Sequence, residues 1–133
     1  MDLGVSERVA PLLEQVRQFI HDHILPVEHE FIAEIEVDDP FVLTSRQLEI
    51  LSSLKSRARD AGLWNFFLTG DEGSGLNTVE YAYLAEEMGK SRLAAEIFNC
   101  SAPDTGNMEV LHKYGSEAQK KVWLEPLLAG EIR

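Results

Sequence analysis

The sequence predicts an all-α domain, a helical bundle of five to six helices. Three observations carry that prediction. Apolar residues recur at steps of three and four, capping-box pairs precede several of the apolar runs, and glycines stand just past their ends. No segment shows the two-residue alternation of a half-buried strand, and no internal repeat or low-complexity tract interrupts the pattern. At 133 residues the chain has the size of one domain, long enough to bury about two thirds of its unfolded surface.

The first helix is expected from Ser6, a good N-cap, with Val9, Leu12, Leu13, Val16, Ile20, Ile24, Val27 and Phe31 along one stripe. Pro26 lacks a backbone donor, which predicts a kink or break near residues 22–26, with the helix resuming toward Ile35 and ending in the "EVDDPF" run. Thr44 and Gln47 stand at capping-box spacing and open a second helix carrying Leu48, Leu51, Leu54 and Ala58 on one side, with Gly62 as its left-handed stop. "LWNFFLTGDEGSGLN" then enters the core and returns to the surface through Gly70, Gly73 and Gly75. Asn77 and Glu80 form another capping pair, starting a helix with Val79, Ala82, Tyr83 and Met88 that closes at Gly89. Ser91 can cap a short helix through Phe98.

The stretch "NCSAPDTGNMEVLHKYGS" places small and turn-forming residues ahead of a helix expected from about Thr105 to Tyr114, capped by Asp104 and stopped at Gly115. Gly106 permits close approach of backbone or ligand. Ser116 with Gln119 begins the last helix, which bears Val122, Trp123, Leu127 and Leu128 and should bend at Pro126.

Charge excludes whole classes of function. Twelve Lys and Arg against twenty-three Asp and Glu give a net charge of −11, a field that repels phosphate backbones and anionic lipid, so no nucleic acid partner is expected. No apolar stretch approaches the ~20 residues of a membrane span, and the start "MDLGVSERV" lacks the basic and apolar regions of a secretory signal. The single cysteine, Cys100, excludes an internal disulfide and a Cys-rich zinc site and fits a reducing compartment. A cytoplasmic location is therefore expected.

The chemistry-bearing constellations are incomplete. Glu109 and His112 form an E-x-x-H pair of the kind used in di-iron bundles, but a second such pair and two further inward glutamates are missing. His21 and His23 are separated by about 200° on a regular helix and cannot chelate together, and His29 lies in an acidic run that reads as a solvated face. "GDEGSG" lacks the Lys-Ser/Thr ending of a phosphate loop and follows no strand. Cys100 has no His and acid partner at recognisable spacing, so a small buried residue is the simpler reading. The residues therefore supply no catalytic set, no metal site and no cofactor-binding residues of their own.

"FNCSAPDTGNMEVLHKYGSEAQKKVWLEPLLAGEIR" closely resembles the end of the N-terminal helical domain of acyl-CoA dehydrogenases. "GSEAQKKVWLEPLLAGEI" is similar to the helix leading into that family's flavin-binding β-domain, and "LAEEMGKS" and "AGLWNFF" resemble its earlier helices. The resemblance spans essentially residues 1–133, and "NCSAPDTGNMEVLHKYGS" is similar to a long-chain subgroup whose eukaryotic members carry a fused kinase-like domain. It implies an FAD enzyme that removes a proton and a hydride from the α and β carbons of an acyl-CoA substrate. It also implies a homo-oligomer passing electrons to an electron-transfer flavoprotein or similar acceptor. Most flavin contacts are expected in the middle β-domain and the catalytic glutamate in the C-terminal helical domain, both expected to lie outside these residues. The isolated chain is then expected to be inactive.

In the family the helix near this stretch lines the acyl-chain tunnel, and the matching positions are Cys100, Ser101, Ala102 and Thr105. Small side chains leave volume there for a tail that gains roughly 0.8 kcal/mol per buried methylene. The same residues also suit a tight helix crossing. Two departures stand out: "GDEGSGLN" replaces the "GGxG" loop of many relatives, and Ser101 and Thr105 are more polar than an aliphatic tunnel asks for. The resemblance implies an apolar patch, partly from Leu127, Leu128 and Ile132, that other domains would cover. The alternative is a free-standing helical interaction module, for which the acidic surface and the missing catalytic set speak.

Overall fold

Two prolines shape the two composite rods of this domain. The computed structural model describes residues 4–34, 39, 41–71 and 73–133. Helix α1 (Ala10–Phe19) runs into a π-helical turn, Ile20–Ile24, and on into α2 (Leu25–Ala33). In a regular α-helix the ring of Pro26 would crowd the carbonyl four residues back, and no N–H would reach it. Here the turn just before the proline is wider, with the Leu25 N–H donating to the Ile20 carbonyl five residues back, and the helix passes Pro26 without breaking. The last rod repeats the device: α7 (Glu117–Gln119), a π turn at Lys120–Leu124 and α8 (Glu125–Ala129), with the Glu125 N–H on the Lys120 carbonyl ahead of Pro126.

Between them lie α3 (Ser45–Asp60), α4 (Thr78–Met88), α5 (Ala94–Ile97) and α6 (Asp104–Tyr114). Counting each composite rod once, the described residues form six helices and no strand, the all-α bundle expected. The capping boxes at Thr44/Gln47, Asn77/Glu80 and Ser116/Gln119 all form, because each bond spans only three residues. Helix α3 stops as expected: Gly62 takes φ +72°, its N–H reaches the Arg59 carbonyl at 2.9 Å, and the Leu63 N–H reaches the Ala58 carbonyl at 2.8 Å. Ser6 caps a turn just ahead of α1, accepting from the Val9 N–H at 3.2 Å. The Ser91 hydroxyl accepts from the N–H groups of Leu93 and Ala94 and opens α5. Helix α2 ends at Ala33; residues 35–38 and 40, which cover most of the expected helix end, lie outside the described residues.

Several expected core positions are corrected. Leu48 faces outward, and α3 instead buries Gln47, Ile50, Leu51, Leu54 and Ala58. On α4 the buried residues are Glu80, Leu84, Glu87 and Met88, while Ala82 is exposed and Val79 and Tyr83 are half-buried. On the last rod Leu124 and Leu127 face inward, with Leu128 half-buried and Val122 and Trp123 exposed. On α3 and α4 the reason is the same: polar side chains with distant partners, Gln47, Glu80 and Glu87, took inward places that an apolar count assigns to their neighbours. The expected exposed patch moves accordingly, since Leu127 is in the core and only Ile132 of the three proposed residues is exposed.

The core centres on Phe98, fully buried, whose ring stands 5.4 Å from that of Phe19 and 5.8 Å from that of Phe66. Polar ties fasten the helices around it. Glu28 accepts from the Ser91 hydroxyl at 2.7 Å and the Arg92 N–H at 2.6 Å, joining α2 to the turn before α5. Glu87 accepts from Arg17 at 2.9 Å, joining α4 to α1. Gln47, almost fully buried, donates to the Phe31 carbonyl at 2.9 Å, joining α3 to α2.

Candidate functional site

The turn between α5 and α6 carries the four residues singled out from the sequence. Helix α5 ends because Asn99 adopts a left-handed conformation, φ +55°, with its N–H on the Glu96 carbonyl at 3.2 Å. The Cys100 N–H then closes on the Ala95 carbonyl at 2.7 Å, the double bond pattern that satisfies the last carbonyls of a helix. This reversal drives Cys100 into the core. Ser101 and Thr105 are half-buried and Ala102 is exposed. The Ser101 carbonyl accepts from the Thr105 N–H at 3.2 Å, and the Pro103 carbonyl from the Asn107 N–H at 3.2 Å, so the turn leads straight into α6. The Ala102–Pro103 peptide within it is cis.

Burial decides what Cys100 can do. Its thiol lies near the backbone N–H groups of Phe66 and Phe67 and is pushed up to about 11, because removal from water outweighs the help those groups give a thiolate. A buried thiol held neutral is a poor nucleophile, and among the described residues no three potential metal ligands come together, so volume and shape are its contribution. Tyr81 stands nearby on α4; burial first, with the charges of Cys100 and Glu109 adding, raises its phenol to about 12. The Ser101 hydroxyl donates to the Ala102 carbonyl at 3.3 Å, so its polarity is turned onto its own backbone.

Two expectations for this turn are corrected. Asp104 is the first residue of α6 rather than its cap, and it accepts from Arg133 Nε at 3.3 Å. A side chain at Gly106 would meet nothing within 4 Å, so no close approach inside this chain requires glycine there.

Sequence reasoning did not find the support behind the turn. The Asn99 amide donates to Asn65 Oδ1 at 2.8 Å and to the Leu127 carbonyl at 3.0 Å. Asn65, also left-handed at φ +57°, donates to the Leu128 carbonyl at 2.9 Å, and the Trp64 indole N–H joins it there at 2.8 Å. Arg59 donates to the Ala129 carbonyl at 3.0 Å. The last-turn carbonyls of α8, orphans in any helix, are thus held by residues from the end of α3, the α3–α4 connection and the α5 exit. The available signal was an Asn just beyond each of two helical runs, since Asn is the side-chain-bearing residue that most readily turns left-handed.

The glycine loop, tested against a flavin's phosphates, does not fit them. The N–H of Gly70 goes to the Leu76 carbonyl, those of Gly73 and Gly75 to the Gly70 carbonyl, and that of Ser74 to the Leu68 carbonyl, so these four amides are spent within the loop. Among the described residues, no three His, Cys, Asp or Glu side chains come together as a metal site, and no helix is long and apolar enough to cross a membrane.

Comparison with known proteins agrees along the whole chain. The family model described as acyl-CoA dehydrogenase, N-terminal domain, matches residues 6–131. Acyl-CoA dehydrogenase family member 11 of Mus musculus is 47% identical over 96% of this chain and 16% of its own length. Family member 10 of Mus musculus is 48% identical over 98% of this chain and 12% of its own length. A solved acyl-CoA dehydrogenase structure from Mycobacterium abscessus superposes with a TM-score of 0.85 at 51% identity, covering 98% of this chain and 33% of that one. This chain therefore spans a third or less of each of these relatives, in the part that their helical N-terminal domain occupies, and it belongs to the acyl-CoA dehydrogenase family.

Proposed function

We propose that this chain is the N-terminal helical domain of an FAD-dependent acyl-CoA dehydrogenase and that its α5–α6 turn forms one wall of the acyl-chain pocket. The family match across residues 6–131 is the observation that carries this reading. The reaction takes a proton from the α carbon and a hydride from the β carbon of the thioester, leaving an α,β-double bond. FAD, held mostly by the middle β-domain, would supply the hydride acceptor when bound. The base that takes the proton lies outside residues 1–133 as well, so the chain alone is inactive.

The domain's own part is steric and solvent-excluding. A tail lying against the exposed methyl of Ala102 and the half-buried Ser101 and Thr105, with Cys100 behind them, meets short side chains and no unsatisfied donor from Ser101. Each methylene it buries contributes about 0.8 kcal/mol, which favours long substrates wherever the wall leaves room. The complete enzyme is proposed to work as a homo-oligomer and to pass its electrons to an electron-transfer flavoprotein or similar acceptor. Family membership favours this reading over a free-standing interaction module.

The test is Thr105→Trp in the full-length flavoenzyme. Added bulk at the wall should lower kcat/KM for long acyl-CoA by more than about tenfold, as a lost 1.4 kcal/mol or more of tail binding requires, while short substrates are turned over within about twofold. Equal losses on long and short substrates would remove Thr105 from the pocket. A full-length protein that binds no flavin, or never reduces it with any acyl-CoA, would overturn the enzymatic reading itself.

A further inference from the structure

The α5–α6 turn is held from behind by a pair of asparagines whose geometry ties it to the end of the last helix. Asn65 and Asn99 both occupy the left-handed region, at φ +57° and +55°, a conformation that costs a residue with a side chain on the order of 1 kcal/mol. They meet side chain to side chain at 2.8 Å, and each spends a further amide hydrogen on α8, Asn99 on Leu127 and Asn65 on Leu128. Backbone fixes the pair as well, with the Asn65 N–H on the Phe98 carbonyl at 3.0 Å. Cys100 and Ser101 follow Asn99 directly, so the direction in which the wall leaves the core is set at Asn99.

We infer that Asn99, braced by Asn65, is a positioning residue that sets the acyl wall relative to α8 and thereby tunes which acyl-chain lengths the pocket accepts. This rests on the pocket reading given above. A glycine at 99 would satisfy the backbone's left-handed demand at no steric cost but would leave Asn65 Oδ1 without its donor and the Leu127 carbonyl with only the Gly130 N–H, cutting the tie between the turn and α8. The turn would keep its fold and lose its lateral anchor. An aspartate would keep the shape and present an acceptor to two acceptors. Both changes act on Cys100 and Ser101 through their backbone rather than through substrate contact.

The experiment compares Asn99→Gly, Asn99→Asp, Gln47→Ala and Thr105→Trp in the full-length flavoenzyme, reading kcat and KM for one short and one long acyl-CoA. Gln47→Ala destabilises the domain at a different place, the α2–α3 junction held through the Phe31 carbonyl, and touches neither asparagine. Both Asn99 variants should shift the long-to-short kcat/KM ratio by about three- to tenfold, the range one hydrogen bond commands, mainly through KM for the long substrate. Gln47→Ala should lower the melting temperature and leave that ratio within about twofold, below what one lost hydrogen bond moves. If Asn99→Asp does not yield folded protein, Asn99→Gly carries the test alone. A lower melting temperature for the Asn99 variants with an unchanged ratio would overturn the inference and make Asn99 a helix stop only. An unchanged ratio in Thr105→Trp as well would overturn the pocket reading with it.

Discussion

Arg8 and Glu80, 72 residues apart, meet in a two-point ion pair that fastens the start of the chain to the first turn of α4. Arg8 Nε stands 3.1 Å from Glu80 Oε1, and its second contact is to Oε2. The same carboxylate accepts from the Ser6 hydroxyl at 2.7 Å and the Asn77 N–H at 2.9 Å. One buried glutamate thereby completes a capping box and receives a distant arginine.

These donors, the Arg8 guanidinium foremost, lower the Glu80 carboxyl from 4.5 to about 2. A depressed folded-state value means that Glu80 contributes its stability above pH 4.5 and loses it as the pH falls toward 2. Thermal melts of the wild type should therefore drop across that window. Glu80→Gln should melt lower at neutral pH and show a shallower drop; an equally steep one would place the acid sensitivity elsewhere.

Gly130 and Gly62 separate two causes of intolerance to a side chain. Both are left-handed, at φ +70° and +72°, but a Cβ at Gly130 would come within 2.7 Å of the Trp64 ring while one at Gly62 would meet nothing within 4 Å. Gly62→Ala should cost about 1 kcal/mol, the conformational penalty alone. Gly130→Ala should cost about 2–4 kcal/mol, since overpacking adds to the same penalty. Denaturant unfolding of the two variants side by side decides, and equal losses would show that the Trp64 ring moves aside freely.

Gln47 serves two helices at once, closing the α3 capping box and donating to the Phe31 carbonyl at the end of α2. Gln47→Ala should destabilise by about 2–4 kcal/mol, combining a lost cap, a buried carbonyl left unpaired and a cavity. Hydrogen exchange should quicken at the amides of α2 and the start of α3 before it does in α4. Uniform quickening would mean that Gln47 acts on the whole domain rather than on that junction.

The thiol of Cys100 is buried and pushed up to about 11. Alkylation by a neutral reagent at pH 8 should be slower than that of a free thiol by about a hundredfold or more, since less than one part in a hundred would be thiolate and access is closed. Unfolding in denaturant should restore the ordinary rate. Rapid labelling of the native protein would show that the α5–α6 turn opens readily.

Much of the fold was legible in the sequence because it is decided within three or four residues. The caps at Thr44, Asn77 and Ser116, the stop at Gly62 and the continuous stripe from Val9 to Phe31 depend on near neighbours, and they formed as expected. Pro26 and Pro126 were legible as disturbances, though not as the π turns that absorb them. The four residues of the candidate wall were picked out within one six-residue stretch by family resemblance, while their unequal burial, with Cys100 inside and Ala102 outside, appeared only in the fold.

What the tertiary structure alone decided is which polar side chains go inside. Glu80, Glu87 and Gln47 displaced apolar neighbours from the core because Arg8, Arg17 and the Phe31 carbonyl came within bonding distance. Asn65 and Asn99 became a clamp because the end of α8 brought the Leu127 and Leu128 carbonyls within bonding distance of the pair. The sequence by itself determined where α3, α4 and the last rod begin, where α3 stops and that the helices share one core, since those follow from apolar spacing and local hydrogen bonds. A buried polar group is stable only when paired, and its partner here lies 16 to 72 residues away, beyond any local pattern.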